Sequence, residues 1–336
     1  MIDSLEPQNG QVISIANPEA EDGETIHCNH RWRRRQPSLS VLVPTYKDSA
    51  DQLIAALGAC KRAEDIEIII YDDGSNDPSL SVRLRESSEM FPGAACLVTN
   101  SRNLGRAAGR NRLEALARAD WQLFLDADMV PDDEDFLVRY FNQIEEDCTP
   151  RLIVGGFSLN LTPHSRDTDL NRAQSEHSEC LPASVRNEHP GRYVFTSNVL
   201  AHRHIMMMVP FDSGFSGWGW EDVEWGIRTA DQFPVIHIDN TATHLGLDTT
   251  ENLIRKYESS GENFWRTVSL HPDVMTDTPL YRMARLFSNL PGRSLVRELT
   301  RIISRSPNWI APRSVRLLAL KTFRAAVYGG VRNGRA

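Results

Sequence analysis

The sequence predicts an α/β fold, with a mainly parallel sheet covered by helices on both faces. Short apolar runs at residues 38–44, 67–71, 95–99 and 121–125 read as buried strands. Amphipathic stretches at 51–62, 78–90 and 104–119 stand between them and read as helices. The connections are short, and strands alternating with helices close into a parallel sheet with both faces covered.

Residues 38–44 (SLSVLVP) are stopped by Pro44, and the helix after them puts Leu53, Ala56, Leu57 and Cys60 on one face. Residues 67–71 end in Asp72-Asp73-Gly74-Ser75, and a weaker helix follows over 78–90. The third strand runs over 95–99, and an Ala- and Arg-rich helix covers 104–119. The fourth strand, 121–125, ends in Asp126-Ala127-Asp128. In open α/β sheets ligands bind at the carboxyl ends of the strands. Those ends carry Thr45, Asp72 with Asp73, Asn103, and Asp126 with Asp128, while the strand bodies are apolar.

The second half is less regular. Residues 158–192 are polar and read as a long, functional or mobile loop. A strand is expected over 195–200, a glycine- and tryptophan-rich loop over 214–220, a helix opening at Glu221, and a short strand over 235–238. Residues 1–36, ending in Arg31, Arg33, Arg34 and Arg35, read as a loose polar arm. The chain thus divides into that arm, a regular half whose strand ends are polar (37–150), a less regular half that carries the tryptophan-rich loop (151–280) and a basic helical tail (281–336).

Composition narrows the function. Apolar residues make up 40% of 336, and a formal charge of -8 argues against a nucleic-acid partner. The tail holds twelve of the 37 lysines and arginines but one of the 45 acids, so it carries +11 against -19 for the rest. Five scattered cysteines, with no paired spacing, read as mostly buried free thiols of a reducing cytoplasm. No apolar run is long enough to span a bilayer, and no signal-peptide pattern opens the chain. The expected location is the cytoplasm or the inner face of the cell membrane.

Four constellations carry chemistry. Asp126 and Asp128 offer two hard carboxylates to Mn²⁺ or Mg²⁺, with a diphosphate supplying further oxygens; a capped turn is the plainer alternative. Asp72 and Asp73 are placed to accept from a nucleobase or ribose, or form a simple turn. Asn103-Leu-Gly-Arg-Ala-Ala-Gly-Arg-Asn111 opens a helix where Gly105 permits close approach and Arg106 or Arg110 meets phosphate or base, unless these arginines are merely solvated. Glu221 and Asp222 follow tryptophans whose flat faces suit sugar rings; one carboxylate can take a hydroxyl proton, and acids also favour a helix N-terminus. His237 and His244 lie seven residues apart, and an imidazole can complete a metal shell.

The segments SVLVPTYKD (40–48), IIIYDDGSND (68–77), NLGRAAGRN (103–111), WQLFLDADMVP (121–131) and TSNVLAHRHIMMMVPFDSGFSGWGWEDVEWGIR (196–228) together resemble glycosyltransferase family 2, of the GT-A fold with its Rossmann-like sheet. The resemblance covers about residues 38–250, and the last segment is similar to the acceptor half of galactosyltransferases and chondroitin-polymerase-type enzymes. It implies that Asp72 recognises uracil, that Thr45 and Arg110 line the nucleotide pocket, and that Asp128 is the main metal ligand. It further implies Asp126 on ribose or metal, His244 in the metal shell, Glu221 on the acceptor and Asp222 as base. Processive members carry a Q-x-x-R-W motif and membrane spans; with neither, single-sugar transfer is expected.

The expected reaction is an inverting transfer from a UDP-sugar to a hydroxyl of a glycan or lipid-linked saccharide, in bacterial surface polysaccharide synthesis. Two rival readings are weaker. A non-catalytic nucleotide-sugar-binding scaffold needs no Glu221-Asp222, and a nucleotidyltransferase usually has a glycine-rich phosphate loop where this chain has Val43-Pro-Thr-Tyr46. A dinucleotide-dependent dehydrogenase lacks its GxGxxG. In the tail, residues 294–305 and 313–324 read as two basic amphipathic helices. They suit an anionic membrane surface or, equally, packing on the catalytic domain.

Overall fold

A computed structural model describes residues 17–34 and 36–333, with side chains to 331. Eleven strands form among them: β1 (Glu24–Cys28), β2 (Leu39–Thr45), β3 (Ile66–Asp72), β4 (Ala94–Asn100), β5 (Trp121–Leu125), β6 (Met129–Pro131), β7 (Leu152–Val154), β8 (Phe157–Ser158), β9 (Asn198–His202), β10 (Val235–His237) and β11 (Ala242–His244). Eight make one sheet in the order β1-β4-β3-β2-β5-β9-β7-β10, and β6-β11-β8 make a second, small one.

The core of the large sheet is parallel, β4-β3-β2-β5, as alternating strands and helices require. Its strands are buried on both faces. Val41, Val43, Ile68 and Ile70 enter one apolar layer, while Leu42, Ile69 and Tyr71 enter the opposite one. Helices Asp51–Ala59 and Phe136–Glu146 cover the first face, and Arg106–Leu116 covers the second. The helix Pro78–Met90 starts where the sequence places it, because Asp77 accepts from the amides of Ser79 and Leu80 and Pro78 occupies the first turn.

Beyond β5 the sheet turns mixed. Strand β9 runs antiparallel to both β5 and β7, so strands from either side of residue 150 share one sheet.

Three expectations are corrected. The polar arm is not loose between 17 and 34: β1 pairs antiparallel with β4, and Trp32 is 1% exposed under the Arg118 guanidinium. Residues 1–16 and Arg35 lie outside the described residues. The polar stretch 158–192 is not a bare loop. It holds helices Asp169–Ser178 and Ala183–Arg186, organised by buried Arg172 and Arg186, which donate to backbone carbonyls. The cysteines are free as expected, but Cys148 is exposed, and Cys28 and Cys180 are half-buried.

The tail divides. The helix Arg313–Asn333 buries Leu320, Phe323 and Tyr328 against Leu253, Ile254, Tyr257 and Phe264. Each such side chain contributes about 1.5–3 kcal/mol, so this helix belongs to the body of the protein. The helix Arg293–Arg305 buries only Ser304, and its Leu295, Leu299, Ile302 and Ile303 face outward.

Candidate active site

The site forms where β2, β3 and β5 end, closed on one side by the helix Glu221–Ala230. Thr45 is buried at the end of β2, with its hydroxyl turned to the Asp48 carbonyl. Asp72, fully buried at the end of β3, accepts from the Ser75 amide through Oδ1 at 3.0 Å. Its Oδ2 is buried with no partner among the described residues. An unpaired buried carboxylate oxygen is costly unless a ligand completes it.

Asp73 faces another way. Both its oxygens accept backbone amides, from Leu104 at 2.7 Å and Gly105 at 2.8 Å. Asp73 thereby anchors the loop that opens the helix Arg106–Leu116. Asn103 donates to the Asp73 carbonyl at 3.1 Å, and its side chain is exposed beside that loop.

Arg110 is the buried centre. Its side chain is 2% exposed, and it donates to Asp126 at 3.2 Å and to Glu221 at 3.1 Å. Asp126 is thereby committed to a guanidinium, and Glu221 is held by Arg110 with its side chain buried. Arg106, more open, lies 3.8 Å from Glu221. Its guanidinium is held charged against burial by Glu221, Asp126, Asp222 and Asp128.

Asp128 pairs with His244 instead, Oδ2 to Nε2 at 3.1 Å. The register of β11 against β6, His244 opposite Met129, brings the two together. Burial would raise Asp128, but His244 holds it below the usual carboxylate range; burial would lower His244, but Asp128 raises it. Gly246 lies against this pair: a Cβ there would stand 2.0 Å from Asp128 Oδ2. Asp48 joins from the β2 end, raised by burial and by Asp128.

Among the described residues no three of His, Cys, Asp and Glu gather as a ready-made metal cage. Asp128 and His244 nevertheless fit Mn²⁺ or Mg²⁺ as a hard oxygen and an imidazole nitrogen, if diphosphate and water supply the remainder. His237 does not join them. It is buried beside Arg186 and the Pro190 carbonyl and pushed down to about 4 by burial.

Asp222 opens the helix Glu221–Ala230. Burial and the neighbouring Glu221 push its carboxyl up to about 7, against the lowering pull of Arg110 and Arg106. Trp220, just before the pair, sits at φ 78, a left-handed conformation that bulky residues rarely adopt. Its indole donates to Tyr328 Oη at 3.2 Å and its ring lies 5.0 Å from Phe264. The strain at Trp220 is thus supported from the last helix.

Sequence reasoning missed Asp48, Gly246 and the helices Thr250–Ser259 and Gly261–Leu270; it anticipates the last helix and its packing as one of two readings, but not its contact with Trp220. Asp48 stood within SVLVPTYKD, but nothing local marks a tail residue 108 positions from Trp220 as its support.

Comparison with known proteins accords with this geometry. Residues 40–198 match the model of glycosyl transferase family 2. The uncharacterized glycosyltransferase YfnE of Bacillus subtilis (strain 168) is 26% identical, over 56% of this chain and 59% of that protein. The chain thus spans about three-fifths of that relative's length. The fold is similar to mannosyltransferase PcManGT from Pyrobaculum calidifontis, solved in complex with GDP-Man and Mn²⁺. The TM-score is 0.57 at 14% identity, covering 89% of this chain and 87% of that one. It is also similar to S. aureus TarS 1-349, with a TM-score of 0.50 at 15% identity, covering 88% and 91%. The fold is GT-A.

Proposed function

From a chain whose residues 40–198 carry a glycosyl transferase family 2 domain, we propose an inverting glycosyltransferase that moves one sugar from a nucleotide diphosphate donor to a hydroxyl acceptor. The observation that carries it is the convergence of Asp128 with His244, Arg110 with Asp126 and Glu221, and Asp222 at one sheet edge. The unpartnered Oδ2 of Asp72 suits a base N–H, and a UDP-sugar is the preferred donor. Similar folds have been solved with GDP-Man and with UDP. Trp218 and Trp220 before Glu221-Asp222 support an acceptor half of galactosyltransferase and chondroitin-polymerase type.

Asp128 and His244 would hold a divalent cation, Mn²⁺ or Mg²⁺, whose charge would offset that of the departing diphosphate. Arg106 adds positive charge on the same side. Asp222 removes the proton of the attacking hydroxyl, and Glu221, fixed by Arg110, contacts the acceptor. One displacement with one base inverts the anomeric carbon, with no carboxylate nucleophile. A screen of nucleotide sugars with Mn²⁺, reading released nucleoside diphosphate, tests this. The expected result is release from one donor, abolished by chelator; full release in excess chelator refutes the metal role.

The acceptor is a glycan or lipid-linked saccharide of surface polysaccharide synthesis, met at an anionic membrane. Support comes from an outward apolar face: Leu295, Leu299, Ile302, Trp309, Ile310 and Leu318, with Trp309 84% exposed. Arg301 and Arg305 at its rim close on Glu258 and Glu251, so apolar insertion outweighs charge here. No helix among the described residues is long and apolar enough to cross a membrane. Truncation near residue 280 would strip Leu320, Phe323 and Tyr328 from the core, so the test uses surface changes instead. Parent protein should co-sediment with anionic liposomes, and a variant with Leu295, Leu299, Ile302 and Trp309 changed to Ser should not. Equal pelleting of the two, or none, refutes membrane contact.

A further inference from the structure

Beside Trp220 lies an arginine that the transfer chemistry does not use. Arg324, on the last helix, donates through Nε to Tyr328 Oη at 3.1 Å. Its guanidinium stands over three rings: Tyr257 at 4.9 Å, Trp220 at 5.2 Å and Tyr328 at 5.3 Å. Among the described residues its two terminal nitrogens have no hydrogen-bond or ion-pair partner. Arg316, on the same helix, is by contrast closed on Asp169. Rings hold such a cation by its faces and leave the edge of its planar fork free, the edge that grips a carboxylate or phosphate through two parallel bonds.

This box adjoins the proposed transfer residues through Trp220. Trp220 is followed directly by Glu221 and Asp222. Trp218 lies 6.3 Å from Tyr257, with Lys256 over its ring at 5.3 Å. Lys256 is itself tied to Asp248.

We infer that Arg324, framed by Trp220, Tyr257 and Tyr328, is a specificity subsite for an anionic group, carboxylate or phosphate, on the acceptor saccharide. The inference rests on the transferase reading and names the acceptor class for that same site. A sugar ring lies on the tryptophan faces, its hydroxyl toward Asp222 and its charged substituent on the Arg324 fork.

The test uses matched probes on the full chain: methyl glucuronide against methyl glucoside, and glucose 6-phosphate against glucose. Tryptophan fluorescence reports binding, since Trp218 and Trp220 wall the subsite. The expected result is binding of at least one anionic member about tenfold tighter than its neutral partner. Whichever pair shows the preference tells carboxylate from phosphate. R324Q should erase the preference, and R324K, a point charge without the fork, should keep part of it; circular dichroism confirms that both variants fold. Equal binding of charged and neutral probes, or a preference that survives in R324Q, overturns the subsite. Preferential binding with no turnover of any nucleotide sugar refutes the transferase reading and leaves the subsite standing. Turnover without preference refutes the subsite alone.

Discussion

Arg110 and Glu221 lie 111 residues apart in sequence and 3.1 Å apart in space, and the guanidinium that joins them also holds Asp126 at 3.2 Å. One side chain therefore locks the end of β5 to the helix that carries Asp222. Arg110→Met would take from buried Glu221 its nearer, hydrogen-bonded cation and leave Arg106 at 3.8 Å, at a cost of up to about 3 kcal/mol. Because Arg110 also draws Asp222 down, the variant should move the ascending, acid-side limb of the activity profile to higher pH. Thermal unfolding and a pH series check both, and a variant with parent stability and parent profile would contradict the lock.

The pH dependence has a definite sign. Asp222 must be deprotonated to take a proton, and burial with Glu221 beside it pushes its carboxyl up to about 7, opposed by Arg110 and Arg106. The value of kcat/KM should then rise with pH through about 7 and level off above it. A profile already flat from pH 5, where the carboxyl would still be protonated, would assign the base to another group.

Gly246 supplies a separate probe of the Asp128 pair. A methyl group there would collide with Asp128 Oδ2, since its Cβ would stand at 2.0 Å. Gly246→Ala should displace that carboxylate, lower turnover and raise the Mn²⁺ concentration needed for half-activity. Its fold should be retained, because Gly246 lies outside every strand and helix. Unchanged Mn²⁺ dependence would show that Asp128 is free to move or does not hold the cation.

The sheet edge was legible because strands announce themselves locally. Apolar runs ending at Thr45, Asp72 and Asp126 placed the polar edge without reference to any distant residue. What failed locally was fixed by tertiary partners. β1 is a polar segment that becomes a strand because β4 offers it an open edge. Asp73 shares its motif with Asp72, yet the chain folds its carboxylate back onto the Leu104 and Gly105 amides. In the last helix the apolar residues split between two destinations, with Phe323 and Ala326 inward and Val315 and Leu318 outward. A helical wheel drawn from 313–324 alone gives both sets one sector, since it carries no information about what packs against them.

Asp222→Asn measures the central claim most directly, because it keeps the size of the side chain and removes its basicity. At saturating donor and acceptor, kcat should fall by about 10²–10⁴-fold, with the donor KM little changed. Transfer at the parent rate by this variant would contradict the assignment of Asp222 as the base, and with it the mechanism built on the Glu221–Asp222 pair.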